Sequence, residues 1–268
     1  MENGIVIDKK VLVLIPARFD STRFPGKPLA LINGRPMIQR VYENCLDAKI
    51  PLNEGPGHCP PKISFDVHVV TDHSAIEAQV KDFGGQVCRI DEPVKTGSER
   101  IYLSYKRYFS GMGYDLIVNV QGDEPLLTGV ELRKLCENHL VSVEDIGTLI
   151  KKRKGFNQDF CNENLVKVIF SEKLGRCHYF SRAPIPYSKN EEVEKEWYQH
   201  IGIYSYKVDA LIKFCEAPQS YNEKLESLEQ LRALDLGMTI KGYCTDQILI
   251  SVDTPEDIKK VEGALRDV

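Results

Sequence analysis

The chain has 268 residues, of which 42% are hydrophobic and 28% are charged, and its formal net charge at pH 7 is −4. These values are typical of a globular protein with an apolar core, and the acidic balance gives no electrostatic basis for binding nucleic acid. Residues 1–10 lack the apolar segment of a signal peptide, and no stretch approaches the roughly 18 apolar residues of a membrane span. We therefore expect a cytoplasmic protein without stable membrane insertion that binds a small anionic molecule and no nucleic acid.

The first half of the chain alternates between two kinds of periodicity. The residue patterns predict strands at Val11–Ile15, Phe65–Thr71, Gln86–Arg89 and Leu116–Val120. They predict helices at Pro36–Cys45, Ser74–Phe83 and Gly97–Phe109. Strand–helix–strand repetition of this kind predicts an α/β fold with a parallel sheet and helices on both of its faces.

After about residue 145 the pattern becomes irregular. Strands are predicted at Val166–Phe170, Gly202–Tyr206 and Ile248–Val252, and helices at Val208–Glu216 and Ser227–Leu236. We expect a single domain of three parts, with approximate bounds 1–145, 146–247 and 248–268. The second part would be an insertion that carries substrate contacts, and the third would return to the main sheet.

A basic loop follows the first strand, within the segment Val11–Pro28. It carries Arg18, Arg23 and Lys27, with Ser21 between them. Three cations on one short loop repel each other unless an anion lies among them, and guanidinium and ammonium groups suit a triphosphate. The spacing matches neither the P-loop nor the dinucleotide-binding glycine motif. The alternative is a solvated basic turn.

Two aspartates follow predicted strands. Leu116–Val120 runs into Gln121, Gly122 and Asp123, and Ile248–Val252 is followed directly by Asp253. Because ligands bind beyond the carboxyl ends of strands in such sheets, this pair would suit Mg²⁺, the ion that nucleotide phosphates require. The alternatives are a turn residue for Asp123 and a helix N-cap for Asp253.

Two further motifs of the first half predict contacts to a nucleotide. Thr71 and Asp72 follow the second strand and point to the carboxyl edge of the sheet. Ser98 and Arg100 lie at the start of a helix, where hydroxyls and a glycine suit phosphate binding. Helix capping explains both motifs as well.

The second half offers polar residues of the kind that bind a sugar acid. Arg182 precedes a proline-rich turn and suits a carboxylate, and polar groups follow at His200, Tyr204, Glu229 and Gln230. A lone histidine is more often structural, and a helical Glu-Gln-x-x-Arg is more often a solvated face. Each of these motifs is weak by itself.

Taken together, the motifs carry a family resemblance. IPARFDSTRFPGKPL, VVTDH, TGSERI, NVQGDEP, YFSRAPIP, HIGIYSY, LESLEQLR and VDTPEDI occur in this order over almost the whole chain. The set resembles the 3-deoxy-manno-octulosonate (Kdo) cytidylyltransferases. The resemblance implies a mostly parallel, Rossmann-like nucleotidyltransferase sheet with a smaller sugar-binding and dimerisation portion. It also implies CTP and a Kdo-type sugar acid as substrates, Mg²⁺ as cofactor, a homodimer and a role in lipopolysaccharide synthesis.

Roles for individual residues follow from the same resemblance. Contacts to CTP are implied for Arg18, Ser21, Arg23 and Lys27, with Gln121 near the cytosine and ribose. Asp123 and Asp253 match the Mg²⁺-binding aspartates, and with Arg18 and Lys27 they form the expected catalytic set. Contacts to the sugar acid are implied for Arg182, His200, Tyr204, Glu229 and Gln230.

The chain departs from the family pattern in three places. The loop at residues 51–62 is long, the segment Gly147–Lys154 is basic, and Tyr187 follows Pro186 where a tryptophan is typical. These departures leave the sugar open, so an 8-amino analogue of Kdo remains an alternative. A nucleotide-sugar glycosyltransferase would be expected to show an Asp-x-Asp pair, and a non-catalytic nucleotide-binding regulator would not need both aspartates and the loop cations.

Overall fold

The chain forms two structural units in the computed structural model, which describes residues 8–20, 23–52, 62–190 and 192–266. Unit 1 comprises Met1–Leu140 together with Gln247–Val268, and unit 2 comprises Val141–Asp246. The predicted site residue Ser21 and most of the loop at residues 51–62 lie outside the described residues. No helix in the described part of the chain is long and apolar enough to cross a membrane.

Unit 1 begins with alternating strands and helices. Their bounds are β1 Lys9–Ala17, β2 Leu31–Ile32, β3 Arg35–Pro36, α1 Met37–Asp47, β4 Ile63–Thr71, α2 Ser74–Asp82, β5 Val87–Arg89, α3 Gly97–Ser104, β6 Leu116–Asn119 and α4 Gly129–Leu140. A 3₁₀ turn at Lys27–Leu29 precedes β2, and a π-helical turn at Tyr105–Phe109 continues α3. The predicted helix Gly97–Phe109 is therefore two kinds of helix joined end to end.

The main sheet of unit 1 has the order β5-β4-β1-β6, and its three pairings are all parallel. Residues Val11–Ile15 of β1 are fully buried, as expected for a strand that is covered on both faces. Phe65 and His68 on β4 point to opposite faces because side chains alternate along a strand. Arg133 of α4 lies over Phe65, and Phe109 packs against His68. Helical segments thus cover both faces, which confirms the prediction for this unit.

Unit 2 has a mixed sheet. Its elements are β7 Ile146–Lys154, α5 Gln158–Cys161, β8 Lys167–Ser171, β9 Arg176–Ser181, β10 Glu196–Lys207, α6 Val208–Glu216, α7 Tyr221–Glu226, α8 Gln230–Asp235 and β11 Ile240–Cys244. The strand order is β10-β7-β11-β9-β8, and β7 and β11 are parallel while the other described pairings are antiparallel. The sheet of unit 2 is therefore mixed rather than mostly parallel, and the short turn between β8 and β9 permits only antiparallel pairing of those two strands.

The chain returns to unit 1 through an irregular segment and helix α9 (Pro255–Ala264). The predicted strand Ile248–Val252 is wrong, because this segment is irregular. Residues 247–268 nevertheless belong to unit 1, although the described residues from 248 to 266 add no strand to its sheet. The apolar residues of this segment pack into a side cluster instead. That cluster contains Leu249, Ile250 and Val252 with Ile32, Met37, Leu126 and Val261. An apolar run that packs against helices resembles a buried strand in sequence, since both need only burial.

Candidate active site

A cleft of about 450 Å³ lies in unit 1 at the carboxyl ends of β1 and β6. Its lining comes from the basic loop, the start of α3, the turn after β6 and the segment before α9. The lining residues are Pro16, Ala17, Arg18, Asp20, Arg23, Lys27, Pro28, Gly97, Gln121, Gly122, Asp123 and Asp253. The structure therefore brings six predicted site residues together: Arg18, Arg23, Lys27, Gln121, Asp123 and Asp253.

Lys27 connects the two aspartates at the floor of this cleft. Its Nζ lies 2.6 Å from Asp123 Oδ2 and 3.5 Å from Asp253 Oδ1. Arg23 Nη2 lies 3.0 Å from the same oxygen of Asp253. The Lys27 side chain is only 14% exposed, so this ion pair is less screened by solvent than a surface pair. Because both carboxylates contact one ammonium group, they lie close enough together to share a divalent cation as well.

Hydrogen bonds between two chain segments bring the aspartates together. Val252 N donates to Asp123 O at 3.0 Å, and Ser251 Oγ donates to a carboxylate oxygen of Glu124. Gln247 Nε2 donates to Leu126 O at 2.8 Å. The bonded residues in the turn after β6 are Asp123, Glu124 and Leu126. Those in the segment before α9 are Gln247, Ser251 and Val252. One backbone bond and two side-chain bonds thus hold the segment before α9 beside the turn after β6.

Glu124 is a support residue that sequence analysis missed. Its side chain is buried, and burial, reinforced by the neighbouring Asp123 charge, raises its pKa to about 8. The proximity of Glu124 to Asp123 in the sequence was the available signal. However, nothing in the sequence shows which of the two acidic side chains points into the cleft.

Helix α9 does not use the Asp253 carboxylate as its N-cap. Thr254, not Asp253, is the N-cap, and it forms a capping box with Asp257. The alternative of Asp253 as the helix cap is therefore wrong. Burial acts to raise the pKa of Asp257, but hydrogen bonds from Lys260 and from the backbone N–H of Asp253 and Thr254 lower it to about 2. Asp257 therefore stays ionised and fixes the backbone just behind Asp253.

Two glycines shape the backbone around the cleft, one in the basic loop and one in the turn after β6. Gly26 has a φ of +69°, a left-handed conformation that a side chain would strain. Gly122 passes close to β1, because a Cβ there would lie 2.9 Å from Pro16 O. Arg18 Nη1 donates to Lys95 O at 3.3 Å, which ties the start of the loop to the segment before α3. These contacts shape the cleft around the three cations.

The other residues predicted to contact the nucleotide lie outside the described cleft lining. Thr71, Ser98 and Arg100 are buried. Arg100 Nη2 donates to Asp72 Oδ2 at 2.6 Å, and its Nη1 donates to Ile90 O at 3.1 Å. This buried guanidinium holds β5 and the turn after β4 to α3, and contact of these four residues with a nucleotide stays a prediction.

The predicted sugar-binding residues all lie in unit 2. His200 Nε2 lies 3.0 Å from Thr148 Oγ1, and burial lowers the pKa of His200 to about 3. Burial, followed by the charge of neighbouring groups, raises the pKa of Tyr204 well above its usual value. Both rings are therefore neutral at physiological pH, and they lie in contact with a ring-centroid distance of 5.3 Å.

Arg182 donates to three backbone carbonyls, two of which lie at the end of α7. Its Nε donates to Glu226 O at 2.8 Å, its Nη1 to Glu163 O at 3.0 Å and its Nη2 to Ser227 O at 3.4 Å. Ser227 has a φ of +53° and is the C-cap of α7. The turn that Arg182 holds leads directly into Glu229, so the guanidinium supports a predicted sugar-binding segment.

Helix α8 is not a solvated face. Gln230 and Arg232 are buried, and Arg232 forms an ion pair with Glu223 of α7 at 2.7 Å rather than with its helical neighbour Glu229. The Arg232 guanidinium also lies 4.4 Å from the ring centroid of Phe214. The alternative of an exposed i,i+3 pair is wrong, because a tertiary partner and an aromatic ring satisfy this arginine.

Comparisons with known proteins identify relatives of this chain. The family model described as cytidylyltransferase matches residues 12–240. The 3-deoxy-manno-octulosonate cytidylyltransferase of Parabacteroides distasonis is 40% identical over 260 residues, covering 94% of this chain and 96% of that protein. The protein of the same name from Desulfatibacillum aliphaticivorans is 37% identical over 266 residues, covering 96% and 99%.

Solved structures show the same relationship. A CMP:2-keto-3-deoxy-manno-octonic acid synthetase complexed with CTP matches with a TM-score of 0.82 and 31% identity, covering 97% of this chain and 99% of that chain. A 4-diphosphocytidyl-2C-methyl-D-erythritol synthase from Anaerococcus prevotii matches at 13% identity with a TM-score of 0.61, which shows the fold alone. The α/β fold is therefore of the nucleotidyltransferase type, and the chain is an enzyme of that class. Within this class, it belongs to the 3-deoxy-manno-octulosonate cytidylyltransferase family.

Proposed function

We propose that this chain transfers CMP from CTP to Kdo and releases pyrophosphate. The observation that carries the proposal is the ion-pair network of Lys27 and Arg23 with Asp123 and Asp253 inside the cleft. It combines cations for a triphosphate with carboxylates for a metal ion. The names of the relatives and the CTP in the related structure support the choice of substrates.

The chemistry is an in-line attack by the anomeric hydroxyl oxygen of the sugar acid on the α-phosphorus of CTP. The chain contributes by positioning and by neutralising charge, since no covalent intermediate is needed. Arg18, Arg23 and Lys27 bind the phosphates and offset the charge of the departing pyrophosphate. Gln121, which also lines the cleft, contacts the cytidine.

The residues of the cleft fit a magnesium ion. Mg²⁺ in nucleotide enzymes is held by one or two carboxylates, and phosphate oxygens and water complete its coordination. Asp123 and Asp253 supply such a pair, and the described part of the chain contains no cluster of three or more His, Cys, Asp or Glu that would hold an ion by itself. When bound, the ion neutralises phosphate charge and lowers the pKa of the attacking hydroxyl.

Unit 2 binds the sugar acid and contains the dimer contact in this proposal. The residues assigned to the sugar acid are Arg182, His200, Tyr204, Glu229 and Gln230. The enzyme works as a cytoplasmic homodimer that supplies activated Kdo for lipopolysaccharide synthesis. The support for these assignments is the motif match of residues together with the similarity to the named relatives.

One assay tests the substrates directly. Pyrophosphate release from CTP is measured with Kdo, with 8-amino-Kdo and with other sugar acids, each with and without Mg²⁺. We expect Mg²⁺-dependent release with Kdo, and weaker release with UTP because a site built around the cytosine amino group rejects a base that lacks it. Equal rates with UTP would identify a different transferase, and preference for the amino sugar would change the assigned substrate.

A further inference from the structure

Phe19 and His73 form an aromatic stack beside the cleft, although neither belongs to its described lining. Their ring centroids are 3.9 Å apart and their planes differ by 14°. Phe19 lies two residues after Ala17, the last residue of β1, and His73 lies two residues after Thr71, the last residue of β4. Ala17 and Thr71 are register partners. The stack therefore extends the pairing of the two strands into the loops that follow them.

Phe19 contacts Gly26, near the other end of the basic loop. Its carbonyl oxygen accepts a hydrogen bond from Gly26 N at 2.9 Å, which closes the loop between the two residues. Its ring lies 3.6 Å from the position that a Cβ on Gly26 would occupy. Arg23 lies within this closed loop, and Arg18 and Lys27 flank it. All three cations thus lie on or next to the loop that this hydrogen bond closes.

His73 is fixed independently of the loop. It is the N-cap of α2, where its Nδ1 accepts a hydrogen bond from Ala75 N at 3.2 Å. Its backbone N donates to Thr71 Oγ1 at 3.2 Å, and Thr71 is fully buried. The imidazole cannot swing away without losing the helix cap. It therefore gives the Phe19 ring a rigid surface anchored in the sheet and in a helix.

We propose that His73 is a positioning residue of the nucleotide site, which acts through its stack with Phe19. The stack holds the described parts of the basic loop, residues 18–20 and 23–27, where Arg18, Arg23 and Lys27 can bind the triphosphate. The proposal rests on the proposed function for the identity of that ligand. A loop that is ordered before binding loses less conformational entropy when the ligand arrives. Aromatic pairs are strong enough to change affinity by about two- to ten-fold.

Two substitutions separate the ring of His73 from its capping nitrogen. His73→Asn keeps a good N-cap side chain and removes the ring, whereas His73→Phe keeps a ring and removes the acceptor. The dissociation constant for CTP is measured by calorimetry with Mg²⁺ and without a sugar acid. We expect His73→Asn to bind CTP about two- to ten-fold more weakly. We expect His73→Phe to bind CTP like the wild type while its free energy of unfolding falls.

The partner ring and a second histidine provide the controls. Phe19→Leu should weaken CTP binding like His73→Asn, and the double variant should lose little more than either one, because both remove the same contact. His68 pairs with Phe109 at a centroid distance of 4.8 Å on β4, away from the cleft lining. His68→Asn should therefore leave the affinity for CTP unchanged. The proposal is overturned if His73→Asn binds CTP like the wild type, or if His73→Phe loses as much affinity.

A second measurement does not depend on the nucleotide. Trypsin cleavage after Arg18 and Arg23 is followed in the protein without CTP. We expect faster cleavage in His73→Asn than in His73→Phe, because only the first frees the loop from α2. Equal cleavage rates would show that the stack does not order the loop. If the wild type fails to bind CTP, the proposed function fails, and the cleavage rates still decide whether the stack orders the loop.

Discussion

Asp123 and Asp253 both form an ion pair with Lys27. Single substitutions of these two residues test whether they bind Mg²⁺. Asp123→Asn or Asp253→Asn should lower kcat by about two orders of magnitude or more, because an amide neither neutralises charge nor holds Mg²⁺ well. Circular dichroism should show an unchanged fold. Asp82→Asn, at an exposed position at the end of α2, is the control and should leave kcat unchanged. Near-normal turnover in both cleft variants would remove the metal assignment.

Lys27 competes with a divalent cation for the same carboxylates. Its ammonium lies within 3.5 Å of both, and a metal ion binding there has to displace it or share the oxygens. Lys27→Met should therefore bind Mn²⁺ more tightly than the wild type in the absence of CTP, measured by titration of the free ion. The same variant should bind CTP more weakly, because a phosphate-binding cation is gone.

A matched control for this prediction is Lys81→Met, which removes an exposed ion pair with Glu77 on α2. It should change neither Mn²⁺ nor CTP binding. Mn²⁺ affinity that stays the same or falls in Lys27→Met would show that the lysine does not compete with the metal. In that case the ion pairs of Lys27 stabilise the basic loop, and Lys27 does not compete with the metal ion for the two carboxylates.

At the scale of elements, the segment 247–253 matters because its side chains hold it beside the turn after β6. Ser251→Ala removes the hydroxyl that donates to Glu124 and leaves a buried carboxyl oxygen with one partner fewer. We expect kcat to fall about ten-fold with a smaller change in KM for CTP, since the aspartates lose their alignment. Glu124→Gln keeps an acceptor for Ser251 and should retain most activity, whereas Glu124→Ala should not. Equal losses in the two Glu124 variants would contradict a positioning role.

Arg182 supports another connection, the turn between α7 and α8. Lysine can replace only part of its three carbonyl contacts. Arg182→Lys should therefore lower the free energy of unfolding by about 1–3 kcal/mol and raise KM for the sugar acid. KM for CTP should change little. A rise in KM for CTP alone would assign the residue to the nucleotide site, and unchanged KM values with lower stability would leave it a purely structural role.

Across the whole molecule, the spacing of apolar residues predicted a strand or helix correctly where the element buries one regular face of its own. β1, α6 and the parallel pairing of unit 1 follow from local patterns, and five cleft residues follow from motifs after β1 and β6, namely Arg18, Arg23, Lys27, Gln121 and Asp123. Asp253 lines the cleft as predicted, but the strand that was expected directly before it does not form. The segment at Ile248–Val252 was mispredicted, because apolar residues that pack against helices have the same pattern as a strand. The Lys27 bridge, the buried Glu124 and the Phe19–His73 stack join residues far apart in sequence. Such contacts depend on tertiary structure, which no local pattern encodes.

The free energy of unfolding depends on pH as a property of the whole folded unit. In unit 2, the buried His200 makes this free energy fall as the pH drops. Burial lowers the pKa of His200 from 6.5 to about 3, so between these values the unfolded chain binds a proton that the folded chain does not. The contribution of this group to stability is therefore complete above about pH 6.5 and falls as the pH drops toward 3, by about 1.4 kcal/mol per pH unit.

Urea unfolding at several pH values should show this slope in the wild type. His200→Gln can keep a hydrogen bond to Thr148 without titrating, so the difference in unfolding free energy between the two proteins should shrink as the pH falls. A difference that stays constant between pH 7 and pH 4 would show that His200 is not buried in its neutral form.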